Sequence, residues 1–524
     1  SANLYVGHEG NGTLNVEAAG VVTDTDGYIG WRSDSTGEAT VTGAGSLWDN
    51  SANLYVGRYG SGTLNVESAG VVTDTDGYIG WQSGSTGEAT VTGAGSLWDN
   101  SANLYVGHEG NGTLNVEAGG VVTSTNGFIG GNHSGIGEAM VTGRGSQWNN
   151  LRHLHVGLTG TGTLNITDGG VVSNTGFGYI GGNSGSTGTA TVTGSGSQWN
   201  SSDNLYISAA GGLGTLNLDD SGLATVSDTT KLWPTGTINL DGGSLTTGSF
   251  DNSQAGTLNF HDGTLTVNGV GGMFDPGVAD FTIDGLAPTD LPALVITNTA
   301  SATLSGDLTV GSSKQGQLTV EAGGVVSVAG SATIGAQGNL TLNAGTLDVA
   351  HTLTIEPGGT ATVNGSTFDS GGLILQETGK LNFVGAPGRY VLGNATDNTA
   401  LNLAGTLGVG PANLSLIDAD GVDLGSSTTL TGGTLASSTG FALDGDDEIS
   451  GRGRLFGDMN LGTNGTIAGS GAGLELFGHV SGTGSISDTT IYGNIDVGNS
   501  VGQLTLTDVV LGSDNTVVTL EIGG

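Results

Sequence analysis

A fifty-residue unit, copied almost unchanged, opens this chain and limits what it can fold into. Residues 1–50 and 51–100 differ only at His8/Arg58, Glu9/Tyr59, Asn11/Ser61, Ala18/Ser68, Arg32/Gln82 and Asp34/Gly84. Residues 101–150 diverge further, and 151–200 are the same unit with one inserted residue. Tandem copies of this kind stack as supersecondary units, each burying its apolar face against the next. A catalytic centre is normally built once, from unlike residues. The repetition therefore points to length, stacking or multivalent contact.

Each block splits into two half-units of three short apolar runs. The first reads Leu4-Tyr5-Val6-Gly7, Gly12-Thr13-Leu14-Asn15-Val16 and Gly20-Val21-Val22-Thr23. The second reads Tyr28-Ile29-Gly30, Gly37-Glu38-Ala39-Thr40-Val41 and Gly45-Ser46-Leu47-Trp48. Helical spacing is missing and period-two alternation recurs, so the runs are predicted as strands. Leu14, Ala39, Leu64, Ala89, Leu114, Ala139 and Leu164 follow one another at steps of 25. Three strands in about 25 residues make one coil of a parallel β-helix, and coils hydrogen-bond about 4.8 Å apart. The 524 residues then give about 21 coils, a rod of roughly 100 Å. Alternation sends Leu4, Val6, Leu14, Val16, Ile29, Ala39 and Val41 inward. Tyr5, Thr13, Asn15, Glu17, Glu38, Thr40 and Thr42 face outward, with equivalent glutamates on every second coil, about 10 Å apart.

From residue 201 the copies fade while the grammar continues, as in Gly214-Thr215-Leu216-Asn217-Leu218 and Gly236-Thr237-Ile238-Asn239-Leu240. We divide the chain into near-identical repeats (1–200), diverged coils (201–270), an irregular junction holding Pro276, Pro288 and Pro292 (271–300), and a looser β-helix (301–524).

Composition narrows the partners. Forty-eight acidic residues against ten Lys plus Arg give a formal net charge of −38. Nucleic acid and polyanionic polysaccharides are poor partners, because phosphate and sulfate need clustered cations. Divalent cations, neutral glycans and other surface proteins stay open. The 103 glycines suit many tight turns, and the absence of cysteine excludes disulfides and thiolate metal sites. No segment approaches the roughly twenty apolar residues of a membrane span. The sequence starts inside a repeat at Ser1 and closes on the strand-like Val517–Ile522, so the absence of a targeting segment is uninformative. Open coil edges at both ends predict either a cap or end-to-end self-association into a filament.

The cycle L-Y-V-G, G-T-L-N-V, G-G-V-V, Y-I-G, G-x-A-T-V-T-G, G-S-x-W resembles the repeat of type V secretion (autotransporter) passengers and PEP-CTERM-sorted bacterial surface proteins. Residues 1–200 carry it closely and 301–360 more loosely. The final Thr519-Leu520-Glu521-Ile522-Gly523-Gly524 is similar to the segment before the C-terminal anchor or translocator of such proteins. The resemblance implies a secreted or surface-displayed, right-handed parallel β-helix of the all-β class. It is specific for architecture and nearly silent on ligand.

Four constellations are candidates for chemistry. Tyr5, Tyr28, Tyr55, Tyr78, Tyr105, Phe128, His155 and Tyr179 should align along one edge, with Trp31 and Trp81 beside them. Trp48, Trp98, Trp148 and Trp199 recur at the end of the third strand. Taken as an outward stripe, these rings would stack on sugars as a multivalent glycan contact, or else stabilise the ladder themselves. Thr40/Thr42, Thr90/Thr92 and Thr191/Thr193 form T-x-T rows of the kind that order ice, but Asn, Met140 and Glu interrupt them, and solvated β-strand threonine explains them. Asp24 with Asp26, and Asp74 with Asp76, offer oxygens to calcium in tight turns, as does Asp444–Glu448, although Asx turn-capping accounts for all of them. His153 and His155 lack the partners of a metal site. No catalytic residue is assigned: Arg32, Arg58, Arg144, Arg152, Lys231, Lys314, Lys380, Arg389, Arg452 and Arg454 are scattered. A glycan-active enzyme in 201–524 would need a groove where Asp and basic side chains converge. The sequence reading is a non-enzymatic, extracellular structural or adhesive rod without cofactor, with the glycan-binding module and the enzyme as alternatives.

Overall fold

The computed structural model describes residues 2–385, 388–393, 401–497, 503–512 and 516–520. Ser1 and Glu521–Gly524, on which the end-capping expectation partly rests, lie outside the described residues. The chain is all-β, a parallel β-solenoid of about 21 turns with about 24 residues per turn. A single 3-10 turn, Ala209–Gly211, is the helical content among the described residues. No described helix is long and apolar enough to cross a membrane. Contacts divide the chain into two compact units, Ser1–Val278 and Ala279–Gly524.

In the first unit, one coil consists of β1 (Leu4–Val6), β2 (Asn11–Val16) and β3 (Val21–Asp24). The next consists of β4 (Gly27–Ile29), β5 (Thr36–Thr42) and β6 (Leu47–Asn50). Each strand pairs in parallel with its counterpart one coil on, as Leu4↔Gly27, Leu14↔Ala39 and Val22↔Trp48. Eleven strands from Asn11–Val16 to Thr257–Phe260 form one parallel sheet on this principle. Outward positions match the expected alternation, with Thr13 over Glu38 and Thr42 over Glu67.

Fixed register stacks like positions into interior columns, and the columns explain why the repeat is two coils long. One runs Leu4, Gly27, Leu54, Gly77, Leu104. A second runs Leu14, Ala39, Leu64, Ala89, Leu114, and a third Val22, Trp48, Val72, Trp98, Val122. Odd coils thus carry Leu, Leu and Val where even coils carry Gly, Ala and Trp. The indole reaches into the space that the glycine leaves free. A Cβ on Gly77 would lie 3.0 Å from the Trp98 ring and collide with the Asn100 carboxamide oxygen. Even coils thus concentrate their bulk in one indole beside positions left small, and odd coils spread theirs over three aliphatic side chains.

The second unit keeps the parallel plan without the copies. Leu318, Leu340, Ala361, Leu381 and Leu407 stack as one of its interior columns. A separate six-stranded sheet runs from Val422–Asp423 to Val518–Leu520.

Ala89 is fully buried between Leu64 and Leu114. Ala89→Leu should therefore overpack the column and lower unfolding free energy by about 1–3 kcal/mol. A urea titration would show a lower midpoint at unchanged slope.

Candidate functional site

The aligned aromatic edge exists. Tyr5, Tyr28, Tyr55, Tyr78, Tyr105, Phe128, His155 and Tyr179 stack with successive ring centroids 5.0, 5.0, 4.9, 4.9, 4.8, 5.0 and 4.6 Å apart. Their planes lie within 14° of parallel. At one ring per coil, the faces cover one another and only edges turn outward. Tyr28 is 6% exposed, against 39% for Tyr5.

Trp31 and Trp81 stand beside the stack, edge-on to Tyr28 and Tyr78 at 4.4 Å each. Their faces are also occupied. The Arg58 guanidinium lies 4.1 Å from the Trp31 ring, and His108 stacks on Trp81 at 4.2 Å. Arg58 also sits over Tyr28 and Tyr55, so a residue that varies between blocks serves as the ring column's own cation. Burial pushes the Tyr28 phenol up to about 12, and it stays neutral. Burial, with His153 adding to it, lowers His155 to about 4.

The expected outward placement of Trp48, Trp98 and Trp148 is overturned. All three are 0% exposed, in the column described above. Each indole N–H is satisfied one coil back: Trp48 donates to Asp24 Oδ2 at 2.7 Å and Trp98 to Asp74 Oδ2 at 2.6 Å. In the third and fourth blocks Trp148 donates to Ser124 Oγ and Trp199 to Asn174 Oδ1. Period-two alternation in Val22-Thr23-Asp24 holds the signal for this: Val22 inward, Thr23 outward, Asp24 inward.

The same finding separates the carboxylates that were expected to share a turn. Asp24 and Asp74 are 4% exposed and face the interior. Asp26 and Asp76 stay at the turn, where their Oδ1 atoms accept the Asn53 and Asn103 backbone N–H groups. A column of Asx side chains thus ties each turn to the next. Among the described residues no three His, Asp or Glu side chains are grouped to hold a metal ion.

In the second unit, six carboxylates gather without a basic neighbour, and two arginines lie in another depression beside Glu475. A cavity of about 1000 Å³ is lined by Glu377, Asp418, Asp420, Asp423, Asp444 and Asp447, and by no basic side chain. Asp447 Oδ2 accepts the Asp444 backbone N–H at 2.9 Å, the turn-capping role foreseen for this cluster. Burial raises Asp447, and Asp423, Asp444 and Asp446 add to the effect. Arg452 and Arg454 line a separate depression of about 520 Å³, where Arg454 pairs with Glu475 at 2.9 Å.

No family model matches the chain, and no curated protein matches it. Among solved structures it is similar to a TibC-catalysed, hyper-glycosylated TibA fragment, at 17% identity and a TM-score of 0.33. The match covers 77% of this chain and 100% of that one. A score of that size assigns neither function nor partner.

Two outcomes follow from the buried rings. Trp98→Ala should cost about 3–5 kcal/mol of stability, and the indoles of Trp48, Trp98, Trp148 and Trp199 should resist acrylamide quenching in the native state. Because His155 titrates near 4 in the folded chain against an ordinary 6.5, the folded state binds fewer protons between those values. Stability should fall as pH drops through that window, and His155→Phe should remove this part of the loss in pH-dependent melting.

Proposed function

We propose that this chain is a non-enzymatic, structural or adhesive β-solenoid of a bacterial surface or extracellular matrix. One observation carries the reading. Exact coil-on-coil register presents the same outward Thr, Asn and Glu surface on every second coil. Thr13, Thr63 and Thr113 alternate with Glu38, Glu88 and Glu138 along one column, and Asn15, Asn65 and Asn115 occupy the next. A surface repeated about every 10 Å suits many weak, equivalent contacts. The solenoid supplies spacing and stiffness, and the apolar interior supplies none of the binding. The repeat's resemblance to exported bacterial passengers supports an extracellular placement. The carboxylate-lined cavity of the second unit holds no basic side chain, which speaks against its being the convergent groove that a glycan-active enzyme would need. The occupied ring faces speak against sugar stacking on the aromatic edge, and favour its role in holding coils together.

The test removes length without removing register. Deleting residues 51–100 joins equivalent positions two coils apart. Beads carrying the parent or the shortened protein would be washed under shear over arrays of neutral glycans and matrix proteins. Retention is expected to drop by more than the fraction of coils removed, with melting behaviour nearly kept. Equal retention of both forms, or turnover of any arrayed glycan, would sink the proposal.

A further inference from the structure

An interior polar column runs beside the tryptophans: Asp24 pairs in register with Asn50, Asp74 with Asn100, Ser124 with Asn150 and Asn174 with Ser201. All eight side chains are buried. In the third block the Ser124 hydroxyl accepts the Trp148 indole N–H and donates to Asn150 Oδ1 at 2.8 Å. In the fourth, Asn174 accepts from Trp199 through its oxygen and donates to Ser201 Oγ through its amide, also at 2.8 Å. This position therefore has two duties. It receives a hydrogen bond from its tryptophan and gives one to the residue a coil further on.

In the first two blocks the position is aspartate. The accepting half is met, since Trp48 and Trp98 donate to Asp24 Oδ2 and Asp74 Oδ2. The giving half is vacant. Asn100 spends its amide on the Thr123 carbonyl, and Asn50 spends its own on Thr73. That leaves Asp24 Oδ1 with Asn50 Oδ1, and Asp74 Oδ1 with Asn100 Oδ1, as buried acceptors without a donor. Two facing acceptors in a low-dielectric interior are costly, and one hydrogen satisfies both.

We propose that Asp24 and Asp74 are proton-binding sites built into the coil interior. Each is a neutral carboxylic acid whose Oδ1–H donates to the carboxamide oxygen of Asn50 or Asn100. The bound proton does for these coils what the Ser124 hydroxyl and the Asn174 amide do for theirs.

The surroundings favour the neutral form. Burial raises Asp74 well above its ordinary value of 3.8, against the lowering hydrogen bond from Trp98, with Asp76 and Asp99 raising it further. Asp24 is raised likewise by burial, against Trp48, with Asp26 and Asp49 contributing. No basic side chain is among the groups acting on either acid. The folded chain thus holds more protons than the unfolded chain above pH 3.8. Stability is fully present below that value and is lost as pH rises toward the folded-state value of each acid. The first four coils should lose stability as pH rises above 3.8, while the blocks carrying Ser124 and Asn174 should not.

The experiment compares the parent protein with D24N/D74N, in which an amide supplies the missing donor without a titrating proton. Melting midpoints from about pH 5 to about pH 9 should decline in the parent and stay flat, and higher at the alkaline end, in the variant. D24S/D74S, copying the third block, should flatten the profile as well and guards against misfolding of the first variant. Glu88→Gln, which removes one outward charge, should keep the parent's slope. Infrared spectra at about pH 5, above the ordinary value of the acid, should show a protonated-carboxyl carbonyl band in the parent that both double variants lack. An unchanged slope in both, or no such band in the parent, overturns the proposal. So does a parent midpoint that shifts when sodium is exchanged for calcium at fixed pH and ionic strength, which would place a cation between the oxygens.

Discussion

Parallel hydrogen bonding between consecutive coils, without slippage over the first two hundred residues, is the constraint on which the rest depends. Each strand meets its own counterpart one coil away, so every position becomes a column, and every column must tolerate its own repetition at about 4.8 Å. Aromatic rings tolerate this by stacking, Asx side chains by capping the next turn, and glutamates by appearing only on alternate coils. The interior tolerates it by alternating volume. Trp48 is accommodated where Gly27 lacks a Cβ, since a Cβ there would lie 2.9 Å from the indole ring.

Satisfying buried polar groups adds a second layer to the same logic. An indole brought into the core needs an acceptor, and the position one coil back supplies it as Asp24, Asp74, Ser124 or Asn174. The substitutions between blocks look arbitrary in the sequence. At this position Asp, Ser and Asn are three solutions to a single hydrogen-bonding requirement.

Much of this was legible beforehand, and the failures have physical causes. The 25-residue step gave the coil, and the period-two alternation of Leu14, Val16, Ala39 and Val41 gave the inward face, because both are set by the backbone. The aromatic edge was legible for the same reason. The four tryptophans and their acids were misplaced because residue chemistry was allowed to outrank register. A large aromatic with a polar N–H suggested a ligand surface, and paired aspartates suggested a cation site. Yet Val22 and Asp24 share parity within their strand, and Trp48 lies in register with Val22, so alternation already sent all three inside. The carboxylate-lined cavity of the second unit could not be foreseen, since its members come from coils of unequal length whose register only the folded chain reveals.

Two-coil alternation also governs how such a chain can change in length across generations. Loss of a single coil would break the Trp–Val alternation of the third-strand column, setting Trp directly against Trp or Val against Val. Loss or gain of a whole block leaves every column in phase. Replication slippage or unequal recombination between the near-identical blocks would then yield folded descendants directly, so that reach is a heritable quantity adjustable in paired steps. The packing of Trp48 against Gly27 acts, in that sense, as a reading frame for the protein's length.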